Sequence, residues 1–346
     1  MGHFDKAKAA YRDLASSTSQ LSIAVASHLG IARVCLKGNE YQEARELLGR
    51  LHLRRDSSEW PAELRDETRY LYAFSLVGAQ LQEEPGPYNQ ALVGFSLGTL
   101  ELERYLDWPL TGPNPGENTR PIQPKGPINV VLAAKNPIES LVSIQLVDVR
   151  VADLIDRLGQ EVGFKAKWEP DTLGEIQEQL ISVQLENVEA GHLLDELATV
   201  LGIAWRSKGG TIRFARSDSK VVLPTLAQRA LREALLSQPG HPLGPAVMLE
   251  LGRLEAKAGK NIGASAWFER VLESSPRSPV GVSAAYNLGQ VQFRLGQYPS
   301  ARENWFRVID QAPRTSIGAA RLLLDWSILS GNAPVEVSHF PFAAVG

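Results

Sequence analysis

One cysteine, Cys35, stands in a chain of 346 residues, so no disulfide can close within it and no multi-thiolate metal site can form. Its place in the apolar pattern of a helix reads as a packed core thiol. Long apolar runs are also missing. None approaches the ~20 residues that a membrane-spanning helix needs, and the opening MGHFDKAKAAYRDLA has no hydrophobic core of a signal peptide. A soluble chain without an export signal is expected. Excess charge of one sign is absent too: Lys plus Arg number 36 against 39 Asp plus Glu, a net charge of −3. No basic block interleaved with aromatics occurs, so neither nucleic acid nor an anionic membrane is an expected partner.

Motifs for chemistry are equally scarce. The six histidines (His3, His28, His52, His192, His241 and His339) include no HExxH and no pair at helical spacing. GKNIGAS (259–265) has a Gly-Lys pair without the GxxxxGK[ST] arrangement that cradles phosphate, and GxSxG is absent. Asp153, Asp156, Asp195 and Glu196 stand opposite apolar helical stripes and are expected to face solvent. The seven tryptophans fall mostly at core positions. No catalytic residue, metal or cofactor is therefore assigned, and an enzyme is the least supported class.

What is present is repetition. GHFDKA (2–7), GPYNQA (86–91) and GQYPSA (296–301) share Gly-x-aromatic-x-x-Ala, with looser copies in GNEYQEA (38–44) and GKNIGA (259–264). Four residues after each alanine stands a large apolar residue: Tyr11, Leu48, Phe95, Phe268 and Trp305. The pattern predicts helix hairpins. Glycine makes the turn, the aromatic plugs it, and the small alanine lets the helices approach, with the residue four positions on sharing its face. In the C-terminal part Leu251-Gly252 and Leu288-Gly289 repeat at one offset, as do Pro276 and Pro313. TLAQRALREALLSQP (225–239) has the spacings of a second repeat helix without a first helix before it, which predicts a domain interrupting the array.

This pattern resembles the tetratricopeptide repeat, a helix-turn-helix unit, most closely over 240–314 and more loosely over 20–106. The chain opens on what resembles the second half of a unit, so either a short helix caps the array or the natural chain begins earlier. The resemblance implies a solenoid whose inner face, lined by the first helix of each unit, binds peptides or other proteins. Counting from Gly252 and Gly289, the candidate lining residues are Leu249, Arg253, Lys257, Tyr286, Gln290 and Arg294. Arg253, Lys257 and Arg294 suit a carboxylate-bearing partner.

Nine of the nineteen residues of PLTGPNPGENTRPIQPKGP (109–127) are Pro or Gly, which predicts an extended linker. Beyond it a phrase is written twice. Residues 142–168, VSIQLVDVRVADLIDRLGQEVGFKAKW, align without a gap against 181–207, ISVQLENVEAGHLLDELATVLGIAWRS. Each copy begins with period-two alternation (Val142, Ile144, Leu146; Ile181, Val183, Leu185) and changes to helical spacing (Leu154, Ile155, Leu158, Val162; Leu193, Leu194, Leu197, Leu201). Gly163 and Gly202 suit helix C-caps, and SKGG before TIRFAR suits a hairpin turn. The order βαββαββ predicts two helices covering one face of a small sheet.

Over 142–216 this order, with its xxLLdxLaxxxG helices, resembles the short N-terminal domain of secretins and TonB-dependent receptors. That resemblance implies a non-catalytic docking module in an envelope setting, although no channel-forming domain or receptor barrel follows. The expected fold is mainly α, a tetratricopeptide-like helical hairpin solenoid interrupted by a small α+β (βαββαββ) domain. The expected division is 1–108 repeats, 109–136 linker, 137–217 α+β domain, 218–330 repeats with a capping helix, and 331–346 tail. The expected function is a non-enzymatic protein-protein interaction scaffold in a bacterial cell-envelope assembly, secretion or transport system. Other proteins or peptide segments are the expected partners, a secretin-like or other envelope complex among them, with a periplasmic or envelope location. The alternative is a cytoplasmic regulatory adaptor whose middle domain senses a ligand or subunit.

Overall fold

A computed structural model describes residues 4–57, 59–83, 128–132, 136–169, 176–216 and 223–311. GPYNQA with Phe95, the whole Pro/Gly-rich stretch 109–127, Trp108, Pro313, Trp326 and the tail from 331 lie outside these residues.

The helices follow the repeat phrases. They are α1 (Phe4–Ser17), α2 (Leu21–Lys37), α3 (Tyr41–His52) and α4 (Ala62–Glu83) before the strands. After the strands come α7 (Leu223–Ser237), α8 (Gly244–Lys257), α9 (Asn261–Ser274), α10 (Pro279–Arg294) and α11 (Tyr298–Gln311). Between them lie β1 (Ile128–Val131), β2 (Leu141–Arg150), α5 (Val151–Val162), β3 (Lys165–Trp168), β4 (Leu180–Glu189), α6 (Ala190–Leu201), β5 (Ile203–Lys208) and β6 (Thr211–Arg216). The fold is mainly α with a small α+β region in the middle, as the patterning predicts.

Repeat turns are built alike. Gly259 and Gly296 take the left-handed conformation (φ +75° each) two residues before α9 and α11. The amide after each bonds back across the helix end, Lys260 N–H to the Glu255 carbonyl and Gln297 N–H to that of Gln292, at 2.9 Å each. This is the Schellman closure, which satisfies otherwise orphaned carbonyls. In GNEYQEA the left-handed residue is Asn39 (φ +60°), while Gly38 stays at φ −83°. The extra residue in that copy is therefore the glycine, and asparagine occupies the turn because its short polar side chain tolerates this region. Its Oδ1 accepts the Tyr41 hydroxyl at 2.9 Å. The small residues Ala44, Ala264 and Ala301 are fully buried, with Leu48, Phe268 and Trp305.

The duplicated phrase forms one structure with an internal two-fold relation. β2 and β4 pair antiparallel with Gln145 opposite Gln184, Ile144 opposite Leu185 and Leu146 opposite Val183. Adding 39 to one partner gives the other's equivalent, so the pseudo-axis passes between the glutamines. The relation extends to the caps: Val151 N–H bonds the Gln179 carbonyl (3.0 Å) and Ala190 N–H that of Ser140 (2.9 Å). Gly163 and Gly202 end α5 and α6 in the left-handed conformation.

Two expectations are corrected. The strands form two three-stranded sheets, β1-β2-β4 and β3-β6-β5, rather than one. Because β2 and β4 pair with each other, the strand following each helix must find another partner, and both do so on β6. A single apolar core still joins Val142, Ile144, Leu146 and their counterparts to Leu154, Leu158, Leu193, Leu197, Ile212 and Phe214. The expected linker of 109–136 also contains a strand, β1, whose Ile128 and Val130 alternate inward and pack on this core. The β5–β6 hairpin closes through Gly209 and Gly210, both at positive φ.

The described residues up to Ala79 belong to one compact unit with the α+β region, and those from Gln228 onward belong to a second. Within the first, Leu53, just after α3, is buried in the α+β core. The Gln184 amide donates to the Leu53 carbonyl (2.7 Å), and the Asp56 amide donates to the Gln184 carbonyl (3.2 Å). The Asp56 carboxylate accepts the Glu186 amide at 3.0 Å. Residues 53–56 thus close the open edge of β4, which would otherwise present unpaired backbone groups.

Candidate functional site

In the second unit α8, α9, α10 and α11 pack successively, and α8 also touches α10. The close approach within each hairpin depends on a missing side chain. A Cβ on Gly252 would stand 2.6 Å from the Phe268 ring, and one on Gly289 would overlap the Trp305 indole. Trp305 Nε1 donates to the Tyr286 carbonyl at 3.3 Å. These contacts hold α8 and α10 as equivalent first helices, 37 residues out of phase.

That phase pairs the candidate residues: Leu249 with Tyr286, Arg253 with Gln290, and Lys257 with Arg294. The structure places them in different environments. Lys257 and Arg294 are exposed at the helix C-termini, and Arg253, Tyr286 and Gln290 are half-buried one or two turns earlier. Leu249 is fully buried and belongs to the core, which removes it from a docking face. Its position follows helical geometry: the residue three before Gly252 falls on the face turned toward the hairpin partner. Tyr286 also contributes to the apolar contacts around Val308 and Trp305.

Beside Arg253 is a group that sequence patterning does not single out. Glu250 is 2% exposed, its Oε1 accepts no hydrogen bond, and the Arg253 guanidinium stands 3.7 Å away. Burial pushes its carboxyl up to about 7, against the opposing charge of Arg253.

In the first unit a second buried charge corrects an expectation. Glu196 does not face solvent: it is 3% exposed and receives Arg55 Nη1 at 3.0 Å and Nη2 at 3.4 Å. Arg55 Nη1 also donates to the His52 carbonyl, and the His52 ring stacks on Tyr72 at 4.4 Å. The cause is the docking of α3 on α6, where a Cβ on Gly49 would lie 2.7 Å from a Val200 methyl. At the equivalent positions of the first copy, Arg157 and Glu161 are exposed, as are Asp153 and Asp156. Asp195 is half-buried and accepts Trp205 Nε1 at 2.9 Å.

The remaining polar clusters read as structural. Cys35, Glu40 and Glu43 approach one another closely enough to suit a cation, but the Lys8 ammonium already donates to Glu40 (2.5 Å) and Glu43 (3.1 Å). Burial, reinforced by Glu43, pushes the Cys35 thiol up to about 12, so it stays protonated in neutral solution. GKNIGAS forms a repeat turn, with its Lys260 amide committed to the Glu255 carbonyl instead of an anion.

A family model described as "Tetratricopeptide repeat" matches residues 1–59, 223–279 and 263–316. These matches support repeats of that kind at both ends of the chain and point to protein-protein interaction. They lie outside the duplicated βαβ region. No curated protein and no solved structure matches the chain.

Proposed function

We propose that the protein is a non-enzymatic scaffold that docks other proteins on the first helices of its C-terminal repeats, with the α+β region as a second docking module. The carrying observation is the equivalence of α8 and α10. Arg253, Lys257, Gln290 and Arg294 stand on two neighbouring helices at one repeat offset, so an extended partner meets the same two positions twice. Three of the four are cationic, which favours partners carrying carboxylates.

An envelope setting is part of the proposal. It is supported by the resemblance of VSIQLVDVRVADLIDRLGQEVGF and ISVQLENVEAGHLLDELATVLGIAW to the secretin/TonB short N-terminal domain. The burial of Leu53, just after α3, in the α+β core supports a module held rigidly on the N-terminal repeat rather than tethered to it.

The test is a photo-crosslinking side chain at Gln290 in the full chain, compared with one at Asp156. Expected are defined protein adducts from Gln290 that weaken when Arg253 and Arg294 are changed to glutamate. Equal adducts from both positions, or none from Gln290, would overturn the repeat surface as the docking face. Fractionation of the adducts tests the setting: envelope proteins support it, and solely cytosolic ones favour an adaptor.

A further inference from the structure

The second sheet carries an arrangement that the chain's near-neutral charge conceals. In the β3-β6-β5 register, Lys167 stands beside Arg213, and Arg213 stands opposite Arg206. The next row of the same face holds Lys165, Thr211 and Lys208. All five cations are exposed. None of the paired positions on this face is acidic; exposed Glu169, just past the end of β3, is the carboxylate that borders it beyond Lys167. The other face is apolar: Ile212 and Phe214 are buried and Trp168 stacks on Phe214 at 4.6 Å.

Like charges directly opposite in a sheet disfavour its pairing, so this face is set against its own stability. The folding requirement of the alternating pattern is a polar outer face, which serine, threonine or mixed charges would meet. Cations fill two consecutive rows instead, and their spacing is regular. Along a strand Lys165 and Lys167, and likewise Arg206 and Lys208, recur every ~7 Å, the repeat at which an extended polypeptide presents alternate side chains.

We propose that this face, formed by Lys165, Lys167, Arg206, Lys208 and Arg213, binds an extended, acid-rich protein segment. The aromatic residues of the sheet are turned to the core, so no platform is present on which unstacked bases would lie. No apolar side chain interrupts the two cationic rows to enter a bilayer. The match in repeat and charge therefore favours a polypeptide. The inference rests on the scaffold reading for the class of its occupant, and it concerns a surface separate from α8 and α10.

The experiment uses the full chain and a fluorescein-labelled oligo-glutamate peptide, followed by fluorescence anisotropy at about 0.01 M and about 0.15 M salt. Binding that weakens with salt is expected. The double variant Lys167→Glu with Arg206→Glu should bind at least ~10-fold more weakly, and Lys260→Glu, outside the sheet, should bind as the parent does. The single variant Arg213→Glu keeps the proposal falsifiable: by placing a carboxylate between Lys167 and Arg206 it should raise the thermal midpoint while weakening the peptide. Undiminished affinity in the double variant, or no binding by the parent, would overturn the proposal. Tighter binding of oligothymidylate or of phosphatidylglycerol vesicles than of oligo-glutamate would overturn the polypeptide as occupant. Gln290 adducts that persist while oligo-glutamate fails to bind would remove this inference and leave the scaffold reading standing.

Discussion

The Ser182 hydroxyl oxygen accepts the backbone amide of Asp148 at 3.0 Å, and the equivalent Ser143 oxygen accepts that of Asn187 at the same distance. Each serine belongs to one copy of the repeated phrase and serves the other copy. Asp148 and Asn187 both adopt positive φ, 48° and 53°, where the pairing of β2 with β4 is interrupted. The serines thus satisfy amides that the irregular ladder leaves without a backbone partner.

Left-handed backbone at Asp148 makes the position sensitive to branching at Cβ. Asp148→Val should cost about 1–2 kcal/mol, and Asp148→Gly should lie near the parent because glycine adopts the conformation freely. Asn187→Val should behave in the same way. Urea unfolding monitored by circular dichroism gives the comparison. A parent-like midpoint for both valine variants would show that these turns are not left-handed in solution.

Buried charge separates the two copies energetically. Glu196→Ala breaks a buried ion pair, removing the carboxylate that accepts both Arg55 Nη1 and Nη2, and should cost about 3–5 kcal/mol. Arg157→Ala, at the equivalent exposed position of the first copy, should change stability by less than about 0.5 kcal/mol. The double variant Arg55→Met with Glu196→Leu should lose less than the sum of the two single variants, since each charge is removed together with the other. The midpoints of chemical unfolding decide it, and similar losses for Glu196→Ala and Arg157→Ala would contradict the structure.

Local features were legible in the sequence wherever one helix or strand determines its own pattern. Among the described residues, the helices begun by the repeat phrases, the βαββαββ order, the caps at Gly163 and Gly202 and the Gly209-Gly210 turn follow from spacing and residue type. Features that depend on distant pairing were not. Glu196 looks solvent-facing on α6 alone, because the helix that covers it is written some 140 residues earlier. The strand at 128–131 was hidden by the Pro/Gly density before it, and the division into two sheets depends on β2 choosing β4. Of the candidate docking residues, Leu249 lay one step too far toward the hairpin. The cations of the second sheet had a signal that goes unseen when charge is counted in blocks: they alternate out of phase with the apolar residues of FKAKW, IAWRSK and TIRFAR.

Close packing of the C-terminal hairpins should be strict at Gly289. An added methyl meets the Trp305 indole, a rigid ring held by its own bond to the Tyr286 carbonyl. Gly289→Ala should therefore cost about 1–3 kcal/mol, typical of an overfilled core. Trimming the ring in Gly289→Ala with Trp305→Leu should restore part of it, which distinguishes a clash from a general loss of helix geometry. Thermal unfolding of the single and double variants provides the readout. If the double variant is no more stable than the sum of both single losses, the contact is not the cause.

Glu250 should make stability fall as the solution becomes more alkaline. Its ordinary value near 4.5 applies in the unfolded chain, and burial raises it to about 7 in the folded protein, with Arg253 opposing. Between these values the folded state holds a proton that the unfolded state has released, so unfolding gains ground as pH rises. The contribution is full below about 4.5 and is lost progressively up to about 7, beyond which the loss stays constant at about 3 kcal/mol. Glu250→Gln keeps the shape and removes the titration, so its stability should change less between pH 5 and pH 8 than the parent's. Urea unfolding of both proteins at these two values, chosen to bracket the raised group, measures the difference directly. Parallel pH dependence in the two proteins would mean that Glu250 is ionised in the folded chain and that its charge is met by more than Arg253.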